Sequence, residues 1–366
     1  MTHVANFRDR LAECDLGWPI AAKAEGDAAL RGWWREHVRV AIFSAQRYER
    51  ALLDEANLHH GHDLVYFDTR LGPETVFLAA GFPAVSVFVN DIVDAEVLER
   101  LTNGGTRLVA TRSTGSNHID VQTAEKLGVK VVRVTDYSPN SVAEFAVGLL
   151  LALNRKIPRA YNRTREGNFL LDGLMGFDLV GRTVAVIGTG KIGRIFARIM
   201  TGFGCHLIGF DLHRSPEFEK IGGRYVDADE IEDADIISLH CPLTPDTYHI
   251  VNAQTLARVK RGALLINTSR GGLVDTEAAI DALKSGHLGG IAIDVYEQEA
   301  GLFFKDLSST VIPDDVIQRL VSFPNVILTG HQAFLTREAV GTILETTLTS
   351  ASDFEAGRPL ANEIKV

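Results

Sequence analysis

Three residues of this chain stand where a sheet would deliver them to a ligand. Arg270 follows the apolar run "ALLINTS", Glu299 lies just beyond "IAIDVYEQ", and His331 follows "VILTG". A guanidinium holds a carboxylate bidentately and polarises a keto group beside it, which the point charge of a lysine does less specifically. An imidazole, with an ordinary pKa of about 6.5, gives and takes a proton near neutrality. A carboxylate hydrogen-bonded to it favours its charged form and fixes the ring. An anion clamp and a proton donor are what hydride transfer to a keto acid requires. Each residue also has an ordinary explanation. Arg270 can be a surface residue where a helix begins, Glu299 one of 47 acids on a solvated loop, and His331 one packing histidine among 12. Composition does not choose between these roles.

The elements that would position them form two series. From Val38 onward, strand patterns in "RVAIFSA", "DLVYFD", "AVSVFV", "RLVATRS" and "VKVVRV" alternate with helical segments, which predicts a parallel α/β unit. A long helical run over 141–167 follows, and a second series begins at "RTVAVIG", continuing through "HLIGF", "IISLH", "ALLINTS", "GIAIDV" and "VILTG". The last segment, "REAVGTILETTLTSASDFEAG", is helical by content. Ligands of open α/β sheets sit outside the carboxyl ends of the strands, which is where the three residues fall.

The second series opens on "VAVIGTGKIGRIFARIM", with Gly188, Gly190 and Gly193 in G-x-G-x-x-G spacing between a strand and an amphipathic helix. The first glycine permits the tight turn, the second lets a pyrophosphate approach the backbone, and the third lets helix pack on strand. Asp211, at the end of the next strand, is placed to accept hydrogen bonds from ribose hydroxyls and to repel a 2′-phosphate. This favours NAD over NADP, with the neighbouring Arg214 as the one feature that would soften the preference.

Length and composition bound the rest. A chain of 366 residues, 46% of them apolar, has the size of two domains. A net charge of -10 without a basic block argues against nucleic acid and acidic membrane surfaces as partners. Cys14, Cys205 and Cys241 are scattered, as free thiols in a reducing compartment are, and no histidine spacing resembles a metal-ligand set. The longest apolar stretch, "FAVGLLLAL", is well short of the roughly 20 residues that span a bilayer and reads as a buried helix. With no leader-like pattern at the N-terminus, the expected location is the cytoplasm.

The strings "GTGKIG", "SLHCPLTPDTYHIVN", "INTSRGGLVD", "AIDVYEQE" and "TGHQAFLT", in this order, resemble the D-isomer-specific 2-hydroxyacid dehydrogenases. The likeness runs from about Val38 to the C-terminus. "RVTDYSPNSVAEFAVG", "DVYEQEAGLFFKD" and "GHQAFLT" follow the fermentative D-lactate branch of that family. The resemblance implies two Rossmann-like or flavodoxin-like parallel-sheet domains, with the cofactor domain inserted into the substrate domain. The implied division is an extension over 1–36, a substrate domain over 37–137 and 334–366, and an NAD-binding domain over 138–333.

Family roles then fall on matching positions. Arg270 becomes the carboxylate clamp and His331 the acid/base, with Glu299, rather than Glu297, as its partner. The loop "TRSTGSNHID" nominates the backbone of Thr114 and Gly115 for the substrate carboxylate, and Tyr137 and Phe334 become pocket walls. Lys191, Ile192, Cys241, Pro242, Thr247, Thr268 and Asp294 match cofactor contacts, Asp294 toward the nicotinamide carboxamide and Cys241 as a wall rather than a nucleophile. The implied activity is reversible NADH-dependent reduction of pyruvate to D-lactate by a homodimer or homotetramer. The alternatives are a dehydrogenase of a bulkier keto acid, of the hydroxyisocaproate or phenyllactate type, and an NADH-sensing corepressor without catalysis.

Overall fold

The computed structural model describes residues 37–365; the extension over 1–36, Cys14 included, lies outside the described residues. Two wholly parallel sheets organise the chain. The first contains β1 (Arg39–Ile42), β2 (Asp63–Tyr66), β3 (Ala84–Val87), β4 (Leu108–Thr111) and β5 (Lys130–Val132), in the order β2-β1-β3-β4-β5. Its helices are α1 (Arg47–Asn57), α2 (Ala95–Asn103) and α3 (Val121–Lys126). Asp94 and Asp120 cap α2 and α3 by accepting from the amides of Val97 and Thr123, which offsets unpaired N–H groups at each helix start. β3 and β4 are buried along their whole length, as strands covered on both faces must be.

The expected single helical run after Tyr137 is two helices, α4 (Pro139–Asn154) and α5 (Ile157–Arg165). Lys156 between them has φ +55, and Pro158, lacking an N–H, cannot continue the ladder of α4. The apolar stretch inside the run does form a buried helix, α4.

The second sheet holds β6 (Thr183–Ile187), β7 (His206–Phe210), β8 (Gly223–Tyr225), β9 (Ile236–Leu239), β10 (Ala263–Asn267), β11 (Leu288–Ile293) and β12 (Val326–Leu328), ordered β12-β11-β10-β9-β6-β7-β8. Its helices are α6 (Lys191–Gly202), α7 (Pro216–Lys220), α8 (Ala253–Arg258), α9 (Thr276–Lys284) and α10 (Asp315–Val321). β8 is not foreseen by the sequence pattern, because three residues carry no readable alternation. The strand order reverses between β6 and β9, which opens a crevice at their carboxyl ends, where the glycine turn begins.

The last helix, α11 (Arg337–Glu355), packs on the first sheet, with Val340, Ile343, Leu344 and Leu348 joining Val40, Ile42, Leu53 and Ala110 in one core. Burying each such leucine contributes about 2 kcal/mol. Beyond it the tail covers the β5 edge, the amide of Ile364 donating to Val131 O at 2.8 Å. No helix among the described residues is long and apolar enough to cross a membrane.

Candidate active site

Contacts within the glycine turn show why two of its three positions are glycine. Gly188 has φ +93, and a Cβ there would lie 2.5 Å from the backbone nitrogen of Cys241. A Cβ at Gly193 would lie 2.0 Å from Gly188 O. At Gly190, by contrast, a Cβ would meet nothing within 4 Å, so the position is open toward the outside of the turn. Gly190 is also the N-cap of α6 and supplies no capping side chain, so the first amides, on Lys191 and Ile192, end a helix of 12 residues with its partial positive charge outward.

Asp211 closes this turn from the side. Its Oδ2 accepts from the amide and hydroxyl of Thr189, at 2.6 and 3.1 Å, and its Oδ1 from the amide of His213 at 2.8 Å. The guanidinium of Arg214 lies 5.5 Å over the ring of Tyr225. Across the crevice, Thr247 accepts from the amide of Thr244 and donates to Pro242 O, both at 2.7 Å, which pins the loop after Cys241. Burial pushes the Cys241 thiol up to about 11, so at neutral pH it is an apolar wall and a poor nucleophile. Thr268 Oγ1 is buried without a hydrogen-bond partner among the described residues. A buried hydroxyl without a partner is costly and fits a ligand that supplies one. The open glycine, the exposed helix start and this hydroxyl together fit a bound dinucleotide.

Asp294, at the end of β11, is wholly buried. Its carboxylate accepts from Thr329 Oγ1 at 2.5 Å and from the amides of Gln332 and Ala333 at 2.9 and 2.7 Å, while its carbonyl accepts from the amide of His331 at 2.7 Å. The side chain expected to face a carboxamide therefore also grips the loop that carries His331. Desolvation pushes its carboxyl above the ordinary range, against those hydrogen bonds.

A cleft of about 330 Å³ lies at the carboxyl ends of both sheets. Thr114, Gly115 and Tyr137 line it from the turns after β4 and β5, and Arg270, Glu299 and His331 from the turns after β10, β11 and β12, with Phe334 beyond. His331 Nδ1 donates to Glu299 Oε1 at 2.9 Å, and the other oxygen of Glu299 accepts from the amide of Tyr296 at 3.1 Å. That bond fixes the ring and leaves Nε2 without a hydrogen bond among the described residues. His331 has φ +55, a left-handed conformation that its fully engaged loop imposes. Arg270 reaches across the cleft: its Nη2 lies 2.9 Å from where a Cβ on Gly115 would be. The Gly115 turn is itself fixed, Ser113 Oγ donating to Gly115 O and Thr114 Oγ1 to Val134 O, each at 2.7 Å.

Other residues of the cleft were not anticipated. Arg112 and His118 belong to the same "TRSTGSNHID" stretch as Thr114 and Gly115, so proximity was the available signal. The side chain of Arg112 is fully buried, paired with Glu49 at 3.3 Å and donating to Phe43 O and Ser86 Oγ. Burial lowers the His118 pKa to about 4, so that imidazole stays neutral at physiological pH. Phe88 and Phe304, from the two sides of the cleft, meet edge to face at 5.1 Å, and Phe304 lies 6.0 Å from the His331 ring. With Tyr137 and Phe334, 6.4 Å apart, they make an aromatic wall. Nothing in the pattern of "GLFFKD" marked Phe304. Among the described residues no group of three or more His, Cys, Asp or Glu is arranged to hold a metal ion.

A dinucleotide crevice beside a cleft with a guanidinium and a paired imidazole defines a nicotinamide-dependent α/β dehydrogenase. Residues 147–333 match the NAD binding domain of the D-isomer specific 2-hydroxyacid dehydrogenases. A 2-hydroxyacid dehydrogenase homolog of Zymomonas mobilis is 52% identical over 330 residues, covering 89% of this chain and all of that one. The D-lactate dehydrogenase of Escherichia coli is 46% identical over 328 residues, 89% of this chain and 100% of its own. The apo structure of D-lactate dehydrogenase from that organism superimposes with a TM-score of 0.83 at 44% identity, covering 90% of this chain and 100% of that one. The chain belongs to the D-isomer specific 2-hydroxyacid dehydrogenases, NAD-dependent oxidoreductases acting on small 2-hydroxy acids.

Proposed function

We propose that this enzyme reversibly reduces pyruvate to D-lactate, with His331 as acid/base, Glu299 as its partner and Arg270 as the carboxylate clamp. The observation that carries the reading is the meeting in one cleft of the His331–Glu299 pair, at 2.9 Å, and the Arg270 guanidinium seated against Gly115. When bound, NADH supplies a hydride to the carbonyl carbon and is left as NAD+. His331 gives the proton on Nε2 to the carbonyl oxygen, and takes it back in the reverse direction. Glu299 orients the imidazole by accepting from its Nδ1, which turns Nε2 toward the cleft. Arg270 and the backbone N–H groups of Thr114 and Gly115 hold the carboxylate, so that positioning and charge complementarity lower the barrier.

Gly188, Gly190, Lys191, Ile192 and Gly193 would hold the pyrophosphate, and Asp211 the adenosine ribose. Cys241, Pro242, Thr247, Thr268 and Asp294 would line the remainder of the cofactor. The same reading assigns 37–137 with 334–366 to the substrate domain and 138–333 to the cofactor domain, in a cytoplasmic homodimer or homotetramer. Exposed Phe169, Leu170, Leu171 and Met175 in one segment after α5 supply apolar surface for such pairing; sedimentation of a monomer would refute it.

One observation favours a second substrate. A cleft of about 330 Å³ walled by Phe88, Tyr137, Phe304 and Phe334 has room for a longer side chain than a methyl group, as in keto acids of the hydroxyisocaproate or phenyllactate type. Steady-state reduction of a keto-acid panel with NADH and NADPH decides. The highest kcat/KM for pyruvate with NADH supports the first reading, a higher value for an aromatic or branched acid replaces it with the second, and no turnover of any keto acid refutes both.

A further inference from the structure

The turn after β11, "YEQE", carries two glutamates that serve two different histidines. Glu299 meets His331 in the cleft, and Glu297 Oε1 accepts from His249 Nε2 at 2.6 Å. His249 has φ +51, an uncommon conformation for a residue other than glycine, which surrounding contacts must hold. Those contacts are specific. Its amide donates to Gly272 O at 2.9 Å, its carbonyl accepts from Asn252 Nδ2 at 2.9 Å, and its ring stacks on Tyr248 at 3.9 Å. The Tyr248 hydroxyl donates to the same Glu297 oxygen at 3.2 Å, and Thr276 Oγ1, at the start of α9, donates to the other at 3.4 Å.

The pair and the His249 amide together thus fasten three segments that leave the sheet side by side. One, after β9, ends in Thr247 to His249; the second, after β10, is Arg270 to Gly272; the third, after β11, is Tyr296 to Glu299. The second and third have no slack, since a Cβ on Gly271 would lie 2.1 Å from the carbonyl carbon of Tyr296. Neither His249 nor Glu297 lines the cleft. We propose that His249 and Glu297 are a positioning pair that sets where Arg270 presents its guanidinium to the substrate carboxylate. The proposal rests on the reading of Arg270 as the clamp. The effect falls on the keto acid rather than the cofactor, because the loop containing Thr247 is pinned by its own bonds to Pro242 and Thr244.

The test uses His249→Asn, Glu297→Ala and the double variant in the full-length enzyme, with pyruvate and NADH as substrates. Asparagine tolerates the left-handed backbone, so the first variant keeps the fold while its side chain is too short to replace the imidazole. Each single change is expected to raise the pyruvate KM about tenfold, with kcat and the NADH KM within about twofold of the parent. The double variant is expected to be no worse than either single one, since both remove the same interaction. Glu297→Gln, which keeps an acceptor oxygen, is expected to recover part of the loss. A pyruvate KM that stays at the parental value while the melting temperature falls would overturn the proposal, as would additive effects in the double variant. Arg270→Lys, run in parallel, separates the two ideas. If it raises the pyruvate KM and the pair variants do not, only the positioning role fails; if it does not, the clamp reading itself fails.

Discussion

The cofactor crevice and the substrate cleft are built on opposite plans. The crevice begins from six consecutive residues, Gly188 to Gly193, which present backbone amides at a helix start. The cleft draws side chains from turns after six strands in two sheets, β3, β4, β5, β10, β11 and β12. Backbone and a local turn make the first; the relative placement of distant turns makes the second. The difference teaches where each is vulnerable. On this reading a single methyl group is expected to block the crevice while the fold stands, and loss of one side-chain partner to impair the cleft.

Substitutions can break that contrast one side at a time. The largest effect is expected from His331→Gln, which removes the proposed proton donor and should lower kcat for pyruvate reduction by about a thousandfold with NADH binding intact. An unchanged kcat would remove His331 from the mechanism. Arg270→Lys exchanges the proposed bidentate clamp for a point charge and should lower kcat/KM for pyruvate by about a hundredfold, again without loss of NADH affinity measured by fluorescence titration. Equal loss on both ligands would show that the two sites are not separable in this way.

The opposite half of the comparison is probed by Gly190→Ala. No protein atom obstructs the new methyl group, so the melting temperature should hardly move, while NADH affinity falls about tenfold or more because the methyl occupies the approach to the backbone. Unaltered NADH affinity would place the pyrophosphate elsewhere.

Finer effects belong to the cleft. Glu299→Gln exchanges the carboxylate that accepts from His331 Nδ1 at 2.9 Å for a neutral amide, a weaker acceptor, so kcat for pyruvate reduction should fall about tenfold with NADH affinity unchanged. An unchanged kcat would reject the pairing as functional. Phe304→Ala opens the aromatic wall and should shift selectivity toward bulkier keto acids by about 1 to 3 kcal/mol, read as the ratio of kcat/KM values for phenylpyruvate and pyruvate. A ratio that does not change would put the pocket boundary at Phe88, Tyr137 and Phe334.

Much of this was legible before any fold was known, and the reason is locality. The glycine turn, the acid at the end of β7 and the ends of β10, β11 and β12 are each announced by neighbours within a few residues, because strand periodicity and turn chemistry are local properties. Where the signal was weak the reading failed: β8 is three residues long, and the break at Lys156 sits inside a composition that favours helix on both sides. The aromatic partners Phe88 and Phe304 were illegible for another reason. They lie far apart in the chain and acquire a role only by touching.

By itself the sequence determined that the chain builds two parallel α/β sheets, that one opens on a dinucleotide turn, and that a guanidinium, a carboxylate and an imidazole stand at strand ends. Residue pattern did not say which of these groups meet: the pairing of Glu299 with His331 was implied by resemblance alone, and that of Glu297 with His249 entered only with the tertiary structure. Glu297 and Glu299 are two residues apart and chemically identical, yet one accepts from His249 and the other from His331. A turn sends neighbouring side chains in different directions, and the packing of β9, β10, β11 and β12 against one another carries each carboxylate to its histidine.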